Sequence, residues 1–309
     1  MTYRKIIGFG DSSFVISLPK AWIEKNGLKK GELLDVEEKG HALNVVPHTL
    51  KPTKEVSEIS IDFTGNLKDL KTRLLHAYVN NYHLINIKRT KIEEYAPAIR
   101  NVVDNFVGLD VVEQRDDKLI VSDVLNISGV SVFNHLRRID RLVLSMSEDV
   151  KQIFLNKEDR TQALDQKDED VNKISNLLFK VIRRAQNSND MIILNLKINE
   201  LFYYWDLIIN LEEIGDHLKR IGREAKNGVS SELFDLFIKC MSAYENSMKA
   251  IYTKNRDMAV DIMVNRKIFY NSCEDLALKS ERKEFVIIDR LKQIHNLCGN
   301  LAKVYLKLS

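Results

Sequence analysis

The stretch that decides the fold is LEEIGDHLKRIGREA, residues 211–225, within a predicted helix that runs from Asp190 to Gly228. Apolar and small residues follow one another here at alternating steps of three and four: Leu201, Tyr204, Ile208, Leu211, Gly215, Leu218, Gly222 and Ala225. This spacing predicts a helix buried between two others. Glycine inside a helix costs roughly 1 kcal/mol relative to alanine. The two glycines therefore predict a close approach by a neighbouring backbone.

An acidic pair lies beside this seam. Glu212 and Asp216 are four residues apart and so share one face of the helix. Like charges at this spacing repel unless something positive lies over them. The positive group is either a bound cation or a basic side chain such as Lys219, Arg220 or a lysine of another helix. Spacing alone favours salt bridges, because acidic pairs on helices are common.

Composition excludes several classes of protein. With 309 residues the chain should hold two or three domains, and its net charge of +3 is too small to indicate nucleic-acid binding by itself. No apolar run approaches the ~20 residues that cross a bilayer, and the N-terminus lacks the features of a signal peptide. The three cysteines, Cys240, Cys273 and Cys298, have no metal-binding spacing. We therefore expect a cytoplasmic protein without membrane insertion, whose thiols are reduced and buried.

The distribution of proline divides the chain. All four prolines occur by Pro97, and the remainder is free of them, as a long helical bundle requires. The sequence predicts a multidomain fold with a small all-β N-terminal domain (1–50), an α/β middle module (55–127) and an all-α C-terminal pair of three-helix bundles (129–309).

The N-terminal domain is predicted to contain four short strands and one helical turn. The strands are Lys5–Phe9, Phe14–Leu18, Leu33–Glu37 and Ala42–Val46, and the helix is Lys20–Asn26. Such a small core should dimerise or pack on its neighbour.

This domain resembles the AbrB/MazE/SpoVT family of swapped-hairpin DNA-binding domains. The matching residues are Arg4-Lys5-Ile6, Gly10-Asp11-Ser12-Ser13, Ser17-Leu18-Pro19-Lys20-Ala21-Trp22 and Gly27-Leu28-Lys29-Lys30-Gly31-Glu32. The resemblance implies an intertwined homodimer in which Arg4, Lys5 and Lys20 face DNA and Ser12 and Ser13 donate to phosphates. Acidic residues nearly balance the basic ones here, so the alternative is a dimerisation module with ordinary surface charges.

The middle module is predicted as strand Glu58–Asp62, helix Asn66–Asn81, strand Leu84–Lys88, helix Ile92–Phe106 and a hairpin over residues 107–124. It contains no glycine-rich phosphate loop, no nucleophile with a plausible base and no metal-binding spacing.

The C-terminal half is predicted as six helices in two groups of three. Apolar seams predict the first helix around Val132–Ile153 and the second around Val171–Ala185. The last three helices are predicted at roughly Ser231–Lys254, Arg256–Lys279 and Arg282–Leu308.

On the second helix, Asp168 and Asn172 occupy the same places relative to the seam as Glu212 and Asp216 on the third. If these helices pack side by side, their oxygen atoms could converge on one cation. The last helix repeats the pattern with Asn296 and Asn300, which lack the charge that attracts a cation.

This half resembles the PhoU family of paired three-helix bundles with Glu/Asp-x-x-x-Asp motifs. The matching residues are Glu212-Glu213-Ile214-Gly215-Asp216-His217 and, more loosely, Asp168-Glu169-Asp170-Val171-Asn172. The resemblance implies a divalent metal or iron bound by Asp168, Asn172, Glu212 and Asp216. An AbrB-like domain ahead of such a bundle resembles the architecture of archaeal phosphate-uptake regulators.

The two resemblances together imply a DNA-binding transcriptional regulator of phosphate uptake with a metal-binding bundle. The alternative is a PhoU-type adaptor that acts on a phosphate transporter or signalling kinase through protein contacts alone. We expect no enzymatic activity, because a di-iron oxidase needs Glu-x-x-His on two helices and no helix has that spacing.

Overall fold

The computed structural model describes residues 3–10, 13–39, 42–48, 57–156, 158–186, 188–225 and 228–308. The chain divides into two compact units, Met1–Val56 and Ser57–Ser309. No helix in these described ranges is long and apolar enough to cross a bilayer.

The first unit consists of two antiparallel hairpins and a short helix. Strand β1 (Ile7–Phe9) pairs with β2 (Ser13–Val15), helix α1 (Lys20–Lys25) follows Pro19, and β3 (Leu34–Lys39) pairs with β4 (Ala42–Pro47). Gly10 and Gly27 have φ angles of 70° and 62°, which glycine adopts without steric penalty, at the first turn and after α1. The predicted elements of residues 1–50 are confirmed to within a few residues.

The second unit begins with a mixed sheet of strand order β5-β6-β8-β7. Its elements are β5 (Glu58–Asp62), α2 (Leu67–Val79), β6 (Leu84–Lys88), α3 (Ala96–Val103), β7 (Leu109–Gln114) and β8 (Lys118–Asp123). β5 and β6 are parallel, and the other pairs are antiparallel. The predicted helix Ile92–Phe106 is instead a 3-10 turn, Ile92–Tyr95, followed by α3. Pro97 lies in the first turn of α3, where its missing N–H is tolerated.

The helical half begins with α4 (Val132–Asn156) and α5 (Thr161–Arg184), as predicted. The predicted third helix, Asp190–Gly228, is two helices, α6 (Ser188–Ile193) and α7 (Ile198–Glu224). The break contains Asn195, whose left-handed φ of 51° ends the helical path. Helix α8 (Ser231–Thr253) follows. The predicted helix Arg256–Lys279 is also broken, at Asn265, into α9 (Arg256–Val264) and α10 (Arg266–Ala277), and α11 (Arg282–Leu308) completes the chain.

The helices form the predicted two groups, and the groups share one hydrophobic core. Helix α7 packs against α4 and α5 in the first group and against α11 in the second. Its predicted seam is buried apart from Tyr204, which is half-buried. The three cysteines are free and buried, as expected.

The two seam glycines make room for side chains rather than for a backbone. A Cβ on Gly222 would lie 2.2 Å from the Cδ1 of Leu164 on α5. A Cβ on Gly215 would lie 3.7 Å from the Sδ of Met146, an ordinary contact. The predicted close approach of a backbone is therefore wrong: at Gly222 a leucine side chain fills the space.

The α/β module and the bundle belong to one compact unit. Lys180 of α5 is fully buried, and its Nζ lies 2.9 Å from the Oδ2 of Asp123. The same ammonium donates to the carbonyl oxygen of Tyr78 at 3.1 Å and lies 4.5 Å from the centroid of the Tyr78 ring. A buried charge is tolerated only when it is paired and hydrogen-bonded, so these contacts hold the module in one arrangement on α5.

Candidate functional site

The predicted DNA-contacting residues lie on the exposed surface of the hairpin unit. Arg4 and Lys5 precede β1, Ser13 begins β2 and Lys20 begins α1; all four are exposed. The Nζ of Lys20 lies 3.6 Å from Glu24 one turn later, an exposed pair that leaves the ammonium accessible. Ser12 lies outside the described residues.

The hairpin unit also exposes its apolar side chains. Phe9, Phe14, Val36 and Leu43 are between 61% and 77% exposed, and α1 contains no buried residue. A monomeric protein rarely leaves so many large apolar side chains of one small unit in water. The hairpins therefore require a further surface to cover them.

The predicted metal ligands come together between α5 and α7, with a lysine among them. The Nζ of Lys219 lies 2.7 Å from the Oδ2 of Asp168 and 2.9 Å from the Oδ1 of Asp216. Asn172 donates its side-chain N–H to Asp168 at 3.1 Å, and Arg220 lies 2.5 Å from Asp216. Lys219 thus bridges the two helices as the positive group between their carboxylates.

The pKa values in this cluster follow the same contacts. Burial raises the pKa of Asp216, but the hydrogen bond and charge of Lys219, together with Arg220, outweigh burial and hold it below its usual range. Burial opposes the charge of Lys219, yet its bonds to Asp168 and Asp216 raise the Lys219 pKa.

Glu212 differs from its neighbours. Burial raises its pKa, and the negative charges of Asp216 and Asp168 raise it further. In the described part of the chain its carboxylate has no hydrogen bond or ion pair. Glu212 is therefore the carboxylate of this cluster whose charge is left least compensated.

This arrangement does not fit a bound metal ion, because the ammonium of Lys219 takes the place a cation would occupy. Across the described ranges, no group of three or more His, Cys, Asp or Glu side chains is arranged to hold a metal. The contacts support the salt-bridge alternative, and metal binding stays a prediction. In the second group of helices Asn296 accepts a hydrogen bond from the guanidinium of Arg266.

The sequence motifs did not predict a cavity at the end of the bundle, whose lining includes Tyr203, Tyr204 and Tyr305. The adjacent pair Tyr203-Tyr204 was the only local signal, and Tyr305 lies about a hundred residues away. Only the packing of α7 against α11 brings these hydroxyls together.

The described elements define a helical-bundle protein that carries an α/β module and a separate hairpin unit. Residues 136–225, which include most of α4 and all of α5, α6 and α7, match the family model of the PhoU domain. Residues 9–52 match the model for antidote-toxin recognition MazE, a bacterial antitoxin. These matches confirm the two resemblances that the motifs indicated.

Among solved structures, the chain is similar to a crystal structure of PhoU from Pseudomonas aeruginosa, with 16% identity and a TM-score of 0.49. The similarity covers 57% of this chain and 94% of that one. None of the curated proteins matches the chain.

Proposed function

We propose that this protein is a homodimeric regulator of phosphate uptake that binds DNA through its hairpin unit. The proposal rests on the presence of two segments in one chain. One is a MazE-type segment whose hairpins expose apolar side chains, and the other is a PhoU-type helical segment. The first part supplies a dimer with a DNA-binding face, and the second supplies the link to phosphate homeostasis.

The exposure of apolar side chains in the hairpin unit supports the proposed dimer. With Phe9, Phe14, Val36 and Leu43 exposed, the hairpin unit buries too little apolar surface to be stable alone. Burial of apolar surface contributes roughly 25 cal/mol per Å². A second copy, interleaving its hairpins with the first, offers the same uncovered faces in a symmetric interface.

The position of the basic residues supports the proposed DNA contact. Arg4 and Lys5 lead into β1 and Lys20 begins α1, and all three are exposed. A dimer presents each residue twice, so six cations would be available for phosphate contacts. Residues 1–48 contain seven basic and six acidic residues, so weak non-specific binding and dependence on particular operator sequences are expected.

The test is selection of genomic fragments by the purified full-length chain at moderate salt. Fragments upstream of phosphate-transport genes should be enriched, and Lys20→Ala should remove the enrichment. Lys151→Ala changes a partly exposed lysine of α4, far along the chain from the hairpins, and should leave the enrichment unchanged. Absence of enriched fragments with the wild-type chain would contradict the proposal.

The alternative function is an adaptor that acts on a phosphate transporter or signalling kinase through protein contacts. The near balance of acidic and basic residues in the hairpin unit favours this alternative. Under it, no DNA fragment is enriched, while the chain co-purifies with a transporter subunit or kinase and Lys20→Ala has no effect on that association.

A further inference from the structure

A cavity of about 480 Å³ lies at one end of the bundle, where α4 and α7 begin and α8 and α11 end. It belongs to neither the acidic cluster nor the hairpin unit. Its volume is within the range of small-molecule sites, roughly 300–1,000 Å³.

Three tyrosine hydroxyls line this cavity without a hydrogen-bond partner among the described residues. Tyr305 is only 7% exposed and Tyr203 and Tyr204 are half-buried, yet no hydrogen bond to any of their hydroxyls is found in the described ranges. None of the three is among the fully buried unpaired polar atoms of the described residues, so these hydroxyls are open to the cavity and can pair with a ligand or water there. The neighbouring Tyr252 differs, because its hydroxyl already donates to Asp140 at 2.9 Å.

The hydroxyls of Tyr203 and Tyr204 are hydrogen-bond donors at any physiological pH. Burial raises the pKa of Tyr203, and Tyr204, Tyr305 and Glu200 raise it further. Burial and Glu200 raise the pKa of Tyr204 in the same way. The protonated hydroxyls can therefore donate to an acceptor within the cavity.

Two lysine side chains lie at the edge of the same cavity. Lys197 and Lys254 line the cavity and are exposed at its edge. The acidic residue of the lining, Glu200, already accepts the backbone N–H of Lys197 at 2.8 Å. Glu200 also lies in the first turn of α7, a 27-residue helix whose dipole favours the negative charge of this carboxylate. An anion is the ligand that these groups suit.

Aromatic surface forms the remaining wall. Phe133 is 42% exposed and lies edge to face with Tyr252, with 6.2 Å between ring centroids. The guanidinium of Arg137 also lies over the Phe133 ring, 5.2 Å from its centroid. The part of the Phe133 ring that stays exposed suits a planar ring, since stacking on aromatic side chains accepts any nucleobase. The volume exceeds what an inorganic anion fills.

We infer that this cavity binds a mononucleotide, with its phosphate toward Lys197, Lys254 and the tyrosine hydroxyls and its base against Phe133. The inference does not depend on DNA binding by the hairpin unit. It assigns the bundle a small-molecule ligand of its own.

The test is calorimetric titration of the full-length chain with AMP, GMP, CMP and UMP, and with adenosine and inorganic phosphate. At least one mononucleotide should bind with one site per chain, at least tenfold more tightly than adenosine or phosphate. Tyr305→Phe and Lys254→Gln should each weaken that binding about tenfold, as expected for one lost hydrogen bond to a charged group. Tyr305→Phe keeps the buried ring, and circular dichroism checks that each variant is folded.

Lys249→Gln is the matched control, because Lys249 is an exposed lysine of α8, five residues before Lys254, and lies outside the cavity lining. It should leave the affinity unchanged. The inference is overturned if none of the four mononucleotides binds at millimolar concentration, if inorganic phosphate binds as tightly, or if both cavity variants bind like the wild type.

Discussion

The substitution Lys219→Met tests what holds α5 to α7. It removes the ammonium that lies 2.7 Å from Asp168 and 2.9 Å from Asp216 and keeps a side chain of similar length. Asp168, whose side chain is 10% exposed, would keep only the amide of Asn172, while Asp216 would keep Arg220. The substitution therefore leaves one carboxylate buried without a counter-charge.

The expected loss of stability follows from the burial of the Asp168 carboxylate. Breaking a buried ion pair costs roughly 3–5 kcal/mol. The partial exposure of Lys219 and the retained Arg220 contact reduce this to about 2–3 kcal/mol. In a unit of this size 1 kcal/mol changes Tm by roughly 2–4 °C, so a decrease of roughly 5–10 °C is expected.

The assay is thermal unfolding followed by circular dichroism at several pH values. Because the pKa of Asp216 is lowered, its stabilisation is present above the unfolded value near 3.8 and is lost as pH falls through the lower folded value. The Tm difference between wild type and Lys219→Met should therefore narrow in acid. The control Lys151→Met breaks an exposed pair with Glu148 and should cost under about 1 kcal/mol.

The predicted loss of Tm will not be observed if a metal ion rather than Lys219 balances the carboxylates. In that case Lys219→Met would unfold at the wild-type temperature, and a chelator would lower the Tm of the wild type. A stable variant together with chelator sensitivity would support the metal prediction for Asp168, Asn172, Glu212 and Asp216.

Three further predictions concern single positions. Glu212→Gln should raise Tm at pH 7, because the raised pKa of Glu212 means that its charged form destabilises the fold. The gain in Tm should vanish below pH 4.5, the pKa of this carboxyl in the unfolded chain, and a gain that persisted in acid would refute the prediction. Gly222→Ala should lower the free energy of unfolding by about 1–3 kcal/mol, because the new methyl group would clash with Leu164, whereas Gly215→Ala should raise it by up to about 1 kcal/mol. Thermal unfolding measures both, and equal effects would show that the two glycines are equivalent. Phe14→Lys should convert the dimer to a monomer in light scattering, and an unchanged dimer would place the interface elsewhere.

Periodic apolar residues made most of the fold predictable. The stripe of α4 and the seam of α7 recur at helical spacing over many turns, and those helices form where the pattern indicated. The breaks at Asn195 and Asn265 were missed, because asparagine interrupts a helix only when its surroundings favour the interruption.

The candidate sites were only partly predictable. The i,i+4 spacing located Glu212 and Asp216 on one face, and the same logic offered Lys219 as their partner. Sequence could not decide between Lys219 and a metal ion, because the decision depends on the distance between α5 and α7. The buried pair Lys180–Asp123 joins residues 57 positions apart and leaves no local pattern.

The central claim is that the hairpin unit binds DNA as a dimer through Arg4, Lys5 and Lys20. Its most direct test is a DNA-binding titration of the full-length wild type and Lys20→Ala over a range of salt concentrations, with an enriched operator fragment. Each phosphate neutralised contributes a log–log slope of about −0.9, so loss of one contact on each of two subunits should flatten the slope by about two. Equal slopes for the two proteins, or no binding at low salt, would contradict the claim.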